Sequence, residues 1–272
     1  MDALAYQTNR LIYDKVDLGK MPDITQDDGW KEIWAIVDSN ESWLTDPDKC
    51  SEIQGRLSRF NFNKNHSADP QHIDNVIKTL GIGFYLTKAA VEWDNPVAGK
   101  SLPNNCSTAN ARGIQWQLVM AYGGFESVTK TLMYLTGEKN SYLSIDRVQH
   151  FTSKCNNLPN YIPLIPPNTN RQNLDKWLTK SPSETGDELL DFLGLKSGDR
   201  TQIKDWLVNS NQIEDWANAT MLAKALRNAT AHGALSPSKV KEWGLEPAMK
   251  ILVKNLGDLV VFGLQTLESP RV

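Results

Sequence analysis

Residues that hold metals or crosslinks are scarce in this chain. Its 272 residues include three cysteines (Cys50, Cys106 and Cys155) and four histidines. An odd, widely spaced set of cysteines gives neither a disulfide framework nor a zinc knuckle. Positive charge is not in excess either. There are 29 Lys and Arg against 32 Asp and Glu, for a net charge of −3. Coating nucleic acid regardless of sequence depends on neutralising many phosphates, and this balance argues against it while leaving room for a small basic site. Long hydrophobic runs are missing as well. The most apolar stretch, Ile251 to Leu267, carries Lys254 and Asp258 and is too short to cross a bilayer. Met1-Asp2-Ala3-Leu4 lacks the basic and apolar regions of a signal peptide. The expectation is a soluble, cytoplasmic protein without metal or cofactor.

Core-forming residues are plentiful. Hydrophobic residues make up 40% of the chain and nine are Trp, enough for one large domain or a domain with an extension. Most long segments repeat their apolar residues with the helical period, so the fold class expected is all-α. Trp30, Ile33, Trp34 and Val37 share a face near the N-terminus, and Asp46-Pro47 opens a helix reaching about Phe60. Four stronger helices follow, near 70–94, 108–136, 211–232 and 246–267. The first opens at Asp69-Pro70, an N-cap followed by proline in the first turn. The second has Gly123-Gly124 at its centre, a pair that costs about 1 kcal/mol per residue in a helix and so points to a close-approaching neighbour or a kink. In the third, Asn211 and Glu214 have capping-box spacing and Gly233 is the natural stop. The fourth begins at Glu246-Pro247. Between the second and third lies a long excursion, about 138–209, with a Pro-rich part and two short helices around Leu189 and Trp206. The simplest organisation is a helical extension over 1–68, packed on a four-helix core over 69–272 that carries this insertion.

Chemistry concentrates in Leu226-Arg227-Asn228-Ala229-Thr230-Ala231-His232-Gly233. A histidine can take or give a proton near neutral pH, and a guanidinium can hold phosphate oxygens through paired hydrogen bonds. Phosphodiester cleavage in RNA uses both properties. On a regular helix Asn228 and His232 lie about 40° apart, whereas Arg227 and His232 diverge by about 140°. Either the last turn distorts, or a second copy of the motif supplies the missing partner across a two-fold axis.

In this motif and in its helix order the chain resembles the HEPN superfamily of helical domains. Members often carry Arg, four to six residues, then His, with a polar residue after the Arg. The likeness spans roughly residues 70–267. It implies a HEPN-like four-helix bundle acting as a metal-independent endoribonuclease, with a composite site at a homodimer interface. It also implies a role as a toxin or in defence against foreign genetic elements, with an antitoxin or regulatory protein as a possible partner. His232 would then be the acid/base, Arg227 the phosphate ligand and Asn228 an orienting group, with Glu126 the acidic residue expected on an earlier helix. Some toxin members have a tyrosine two residues after the His; this chain has Ala234 there.

Other readings stand beside these. His232 before Gly233 also suits an ordinary helix C-cap, and Arg227 a residue complementing the helix dipole. That reading gives a HEPN-like binding or scaffold module, or a helical nucleotide-binding protein, with no cleavage. Arg56, Arg59, Phe60, Phe62, Lys64 and His66 form a basic and aromatic cluster. It suits either RNA, through Arg56, Arg59 and Lys64, or a helix end anchored by two phenylalanines.

Overall fold

A computed structural model describes Met21 and residues 47–61, 67, 69–93, 108–135, 142–167 and 196–267. Among these the protein is all-α, with no strand and a single isolated antiparallel bridge, Leu164 to Ile213. Among the described residues there are eight α-helices: α1 Pro47–Leu57, α2 Pro70–Val91, α3 Ala109–Leu132, α4 Ile145–Lys154, α5 Ser197–Leu207, α6 Trp216–Ala231, α7 Pro237–Glu242 and α8 Glu246–Gln265. A short 3₁₀ turn, Ser58–Phe60, follows α1. None of the described helices is long and apolar enough to cross a membrane. Trp30, Ile33, Trp34, Val37, Phe62, Lys64, His66, Cys106 and Leu189 lie outside the described residues.

The four long helices stand close to their expected positions, and side-chain caps set the starts of two of them, α2 and α6. Asp69 accepts a hydrogen bond from the Gln71 amide and precedes Pro70, so α2 starts there. The start of α6 differs from expectation. Asp215, not Asn211, is its N-cap, accepting from the Asn218 amide at 2.7 Å. Ile213 exchanges two backbone hydrogen bonds with Leu164 (2.9 and 3.1 Å), which holds the preceding residues extended. The 138–209 span contains a helix that periodicity did not single out, α4. Its Val148 and Phe151 are fully buried, as are Leu164, Ile203 and Trp206 farther on. This span therefore helps to build the core. Before it in the chain, Phe60 is fully buried and stacks on Phe151 at 5.3 Å, and the Arg59 guanidinium donates to the Thr266 carbonyl at the end of α8 at 2.6 Å.

The centre of the fold is the pairing of α2 with α3. His72 meets Tyr134, Gly83 meets Gly124 and Val128, and the Gln117 side chain donates to the Trp93 carbonyl. The helices therefore run antiparallel. The glycine pair matters through one member. A Cβ on Gly124 would lie 2.2 Å from Thr87 Oγ1 and 2.5 Å from the Gly83 carbonyl oxygen, whereas one on Gly123 meets only Leu86 Cδ2, at 3.7 Å. Gly83 is also closely approached: a Cβ there would lie 2.7 Å from Val128 Cγ2 and 2.9 Å from the Gly124 carbonyl oxygen. Close backbone approach is thus the reason for glycine at 83 and 124. The outer face of α2 leaves Ile82, Tyr85 and Leu86 exposed, with Trp116 of α3 also exposed.

The two neighbouring glycines should respond oppositely to the same substitution. Gly124→Ala should destabilise the protein by about 1–3 kcal/mol, since overpacking here pushes on backbone. Gly123→Ala should stabilise it by up to about 1 kcal/mol, from helix propensity and ordinary contact. Urea denaturation of both variants checks this; equal losses would contradict the asymmetric approach.

Candidate functional site at the end of α6

The sequence motif occupies the last turn of α6 and the turn after it. Ala231 ends the helix, and His232 is the C-cap, its amide donating to the Asn228 carbonyl. Gly233 follows at φ +75°, a left-handed conformation that favours glycine. Its amide closes on the Thr230 carbonyl at 3.0 Å, and the Leu235 amide on the Ala229 carbonyl at 2.7 Å. The helix therefore stops where the motif ends and the chain turns back into the core.

A single buried side chain fixes this turn in space. Gln115 of α3 donates through Nε2 to the Leu235 carbonyl at 2.7 Å and to Thr230 Oγ1 at 3.2 Å. Tyr122 lies seven residues on, about 20° from Gln115 around α3, and both are roughly opposite Gly124. One side of α3 thus admits α2, and the other receives the end of α6.

Arg227 is half-buried, its guanidinium 5.7 Å from the centroid of the buried Tyr122 ring. Its Nη1 donates to Asn228 Oδ1 at 2.9 Å, and Asn228 Nδ2 donates to Asp199 Oδ2 of α5 at 2.9 Å. The Asp199 carboxylate can only accept from this amide, so it orients Asn228 with its oxygen toward Arg227. The Arg227 Nε–H is buried and has no hydrogen-bond partner among the described residues. The same is true of the Tyr122 hydroxyl. Burial, together with the nearby Glu126 and Asp199 carboxylates and against the opposing effect of Arg227, pushes the Tyr122 phenol well above its ordinary range, so the ring stays neutral.

The structure joins Arg227, Asn228 and Asp199 directly. Glu126 stands near Tyr122 and is ion-paired with Lys130 at 2.8 Å, one turn along α3. The carboxylate bonded into the motif is that of Asp199, which no local sequence pattern signals, because it lies 29 residues away. His232 is exposed, and no hydrogen bond joins it to Arg227 among the described residues. In the basic and aromatic cluster, Arg56 is paired with Glu52, Arg59 is bound to the end of α8, and the Phe60 ring is enclosed in the core.

Compared with known proteins, the chain matches no family model, no curated protein and no solved structure.

The hydrogen bonds that hold the turn set two expectations. Gln115→Leu should cost about 1–3 kcal/mol, because it leaves the Leu235 carbonyl unsatisfied in the interior. Tyr122→Phe should leave stability unchanged or raise it, since the hydroxyl it removes has no partner. Thermal melts of the two variants give the comparison, and a large loss in Tyr122→Phe would show that the hydroxyl is bonded after all.

Proposed function

We propose that the protein is a metal-independent endoribonuclease of the HEPN type, built on a HEPN-like helical bundle, with Arg227, Asn228 and His232 as its working residues. The observation that carries this reading is the held guanidinium of Arg227 five residues before the exposed imidazole of His232. Tyr122 packs beside Arg227 and Asn228 grips its tip, so it loses little further freedom on meeting a phosphate. Its Nε–H is buried and left without a hydrogen-bond partner by the described residues. His232, at the helix cap, is free to meet a ribose.

In the proposed reaction the 2′-hydroxyl attacks the adjacent phosphorus while a neutral His232 imidazole takes its proton. Arg227 stabilises the charge gathering on the non-bridging oxygens. The 2′-O–P bond forms as the P–O5′ bond breaks, and the leaving oxygen takes a proton from a second, protonated imidazole, which ends neutral. Products are a 2′,3′-cyclic phosphate and a 5′-hydroxyl. Because Arg227 and His232 diverge around the helix, a homodimer with the two α6 ends facing one groove supplies the second imidazole. Asp199 positions Asn228, and Glu126 with Lys130 borders Tyr122 behind the site. A role as a toxin, or in defence against foreign genetic elements, suits such an activity, with a regulatory partner protein to restrain it.

A second reading draws on the C-cap geometry of His232 and the hydrogen bonds already made by Arg227 and Asn228: a binding or scaffold module without cleavage. Incubation of purified protein with mixed RNA in EDTA separates the two. The enzyme reading expects cyclic-phosphate ends, intact DNA, and at least a hundred-fold loss in His232→Ala, in keeping with the usual worth of a general base. The His232→Ala protein should remain folded, because a terminal-turn histidine contributes less than about 2 kcal/mol. Arg227→Lys should also be severely impaired, since lysine keeps the charge and loses the planar fork. Undamaged RNA, or a His232→Ala variant of full activity, would leave the binding module as the better account.

A further inference from the structure

One aromatic residue near this site is handled differently from the rest. Tyr142, just before α4, keeps 59% of its surface exposed, while the next residue, Leu143, is fully buried. Two cations stand beside its ring. Arg147 Cζ lies 5.6 Å from the ring centroid and Lys224 Nζ 5.8 Å. Both also fix the backbone under the ring, Arg147 donating to the Tyr142 carbonyl at 2.7 Å and Lys224 to the Leu143 carbonyl at 3.3 Å. Both cations lie over the ring within cation–π range, and the residue still keeps more than half of its surface exposed.

Lys224 ties this feature to the candidate site. It lies on α6 three residues before Arg227 and four before Asn228, which places it between them in azimuth and about one pitch (5.4 Å) nearer the N-terminus. Tyr142, Arg147 and Lys224 therefore continue the polar track that ends at Arg227, Asn228 and His232. An exposed aromatic ring with cations beside it is an arrangement that binds one nucleotide of a flexible strand. The base stacks on the ring, and its phosphate meets the cations. Asp146, exposed on α4, and Asp199 border the track and limit its net charge. Recognition here thus depends more on stacking than on bulk attraction.

We infer that Tyr142, flanked by Arg147 and Lys224, is a stacking platform for one base of single-stranded RNA, whose backbone then runs along α6 toward Arg227. The choice of RNA and the direction of the strand rest on the ribonuclease reading; the platform itself is tested by binding.

The experiment is fluorescence anisotropy with a labelled single-stranded RNA of mixed sequence, 2′-O-methylated so that it cannot be cut. It uses the full chain as wild type, Tyr142→Ala, Tyr142→Phe and Lys224→Gln, each checked for folding by its thermal melt. Tyr142→Ala should weaken binding roughly ten-fold, and Tyr142→Phe should stay within about two-fold of wild type, because the ring is what stacks. Lys224→Gln should reduce the slope of log affinity against log salt by about 0.7, the loss of one phosphate contact on a single strand. Unchanged affinity in Tyr142→Ala, or no RNA binding by the wild type, overturns the inference. Cleavage of unmodified RNA is scored separately. Cutting that persists with wild-type KM in Tyr142→Ala removes the platform and leaves the ribonuclease reading intact. Tyr142-dependent binding without cutting does the reverse.

Discussion

The contact between Gly83 and Gly124 is the constraint on which the arrangement of this protein depends. With no Cβ on either residue, α2 and α3 approach until the carbonyl of each glycine lies under 3 Å from where the other's Cβ would stand. Apolar side chains above and below, Ile77, Leu80 and Phe84 from α2 and Leu118, Phe125 and Val128 from α3, are then fully or nearly fully buried. Burying a side chain of this size contributes roughly 1.5–3 kcal/mol. Seating α3 tightly on one helix leaves its opposite face for others. Gln115 and Tyr122 occupy that face and meet the end of α6, while α8 packs against both α2 and α3. The position of the candidate site therefore follows from a crossing on the other side of the same helix.

With acidic residues in slight excess over basic ones, the proposed RNA site depends on how a small number of cations are placed. Here the cation at the centre of the site is held with little freedom, its face toward a neutral ring and its tip bound to an amide that a carboxylate orients. Asp199 weakens the local positive potential and in exchange fixes geometry. The neighbouring cations are likewise tied to backbone carbonyls beside an exposed ring. On the proposed reading, such a surface would favour a flexible strand that offers a base and a phosphate together over a rigid duplex bound by charge alone.

The sequence was most legible where local chemistry decides the outcome. Asp69-Pro70, Glu246-Pro247 and Gly233 mark helix ends through capping and backbone conformation, which neighbouring residues control. The Gly123-Gly124 pair pointed to a close approach or a kink because glycine in a helix is costly, and Gly124 is the member that a neighbour approaches. What could not be read depends on partners distant in sequence. The bridge from Leu164 to Ile213 shifts the start of α6, and α4 is a ten-residue helix whose buried face consists of Val148 and Phe151. Asp199 meets Asn228 across 29 residues, and Tyr142 gains a cation from Lys224, 82 positions later. The basic cluster at 56–66 shows the converse: Arg59 and Phe60 look available in sequence, yet the fold uses both to fasten the turn after α1 to α8 and α4.

The central claim is that RNA meets this protein along α6 and at its end. The most direct measurement is an NMR titration of the full chain with a cleavage-resistant single-stranded RNA, following backbone amides, the His232 ring protons and the Arg227 Nε–H. The account predicts saturable shifts at Arg227, Asn228, His232, Lys224 and Tyr142, and none at Arg59 or Phe60. Shifts confined to other surfaces, with Arg227 and His232 unmoved at saturating RNA, would contradict it.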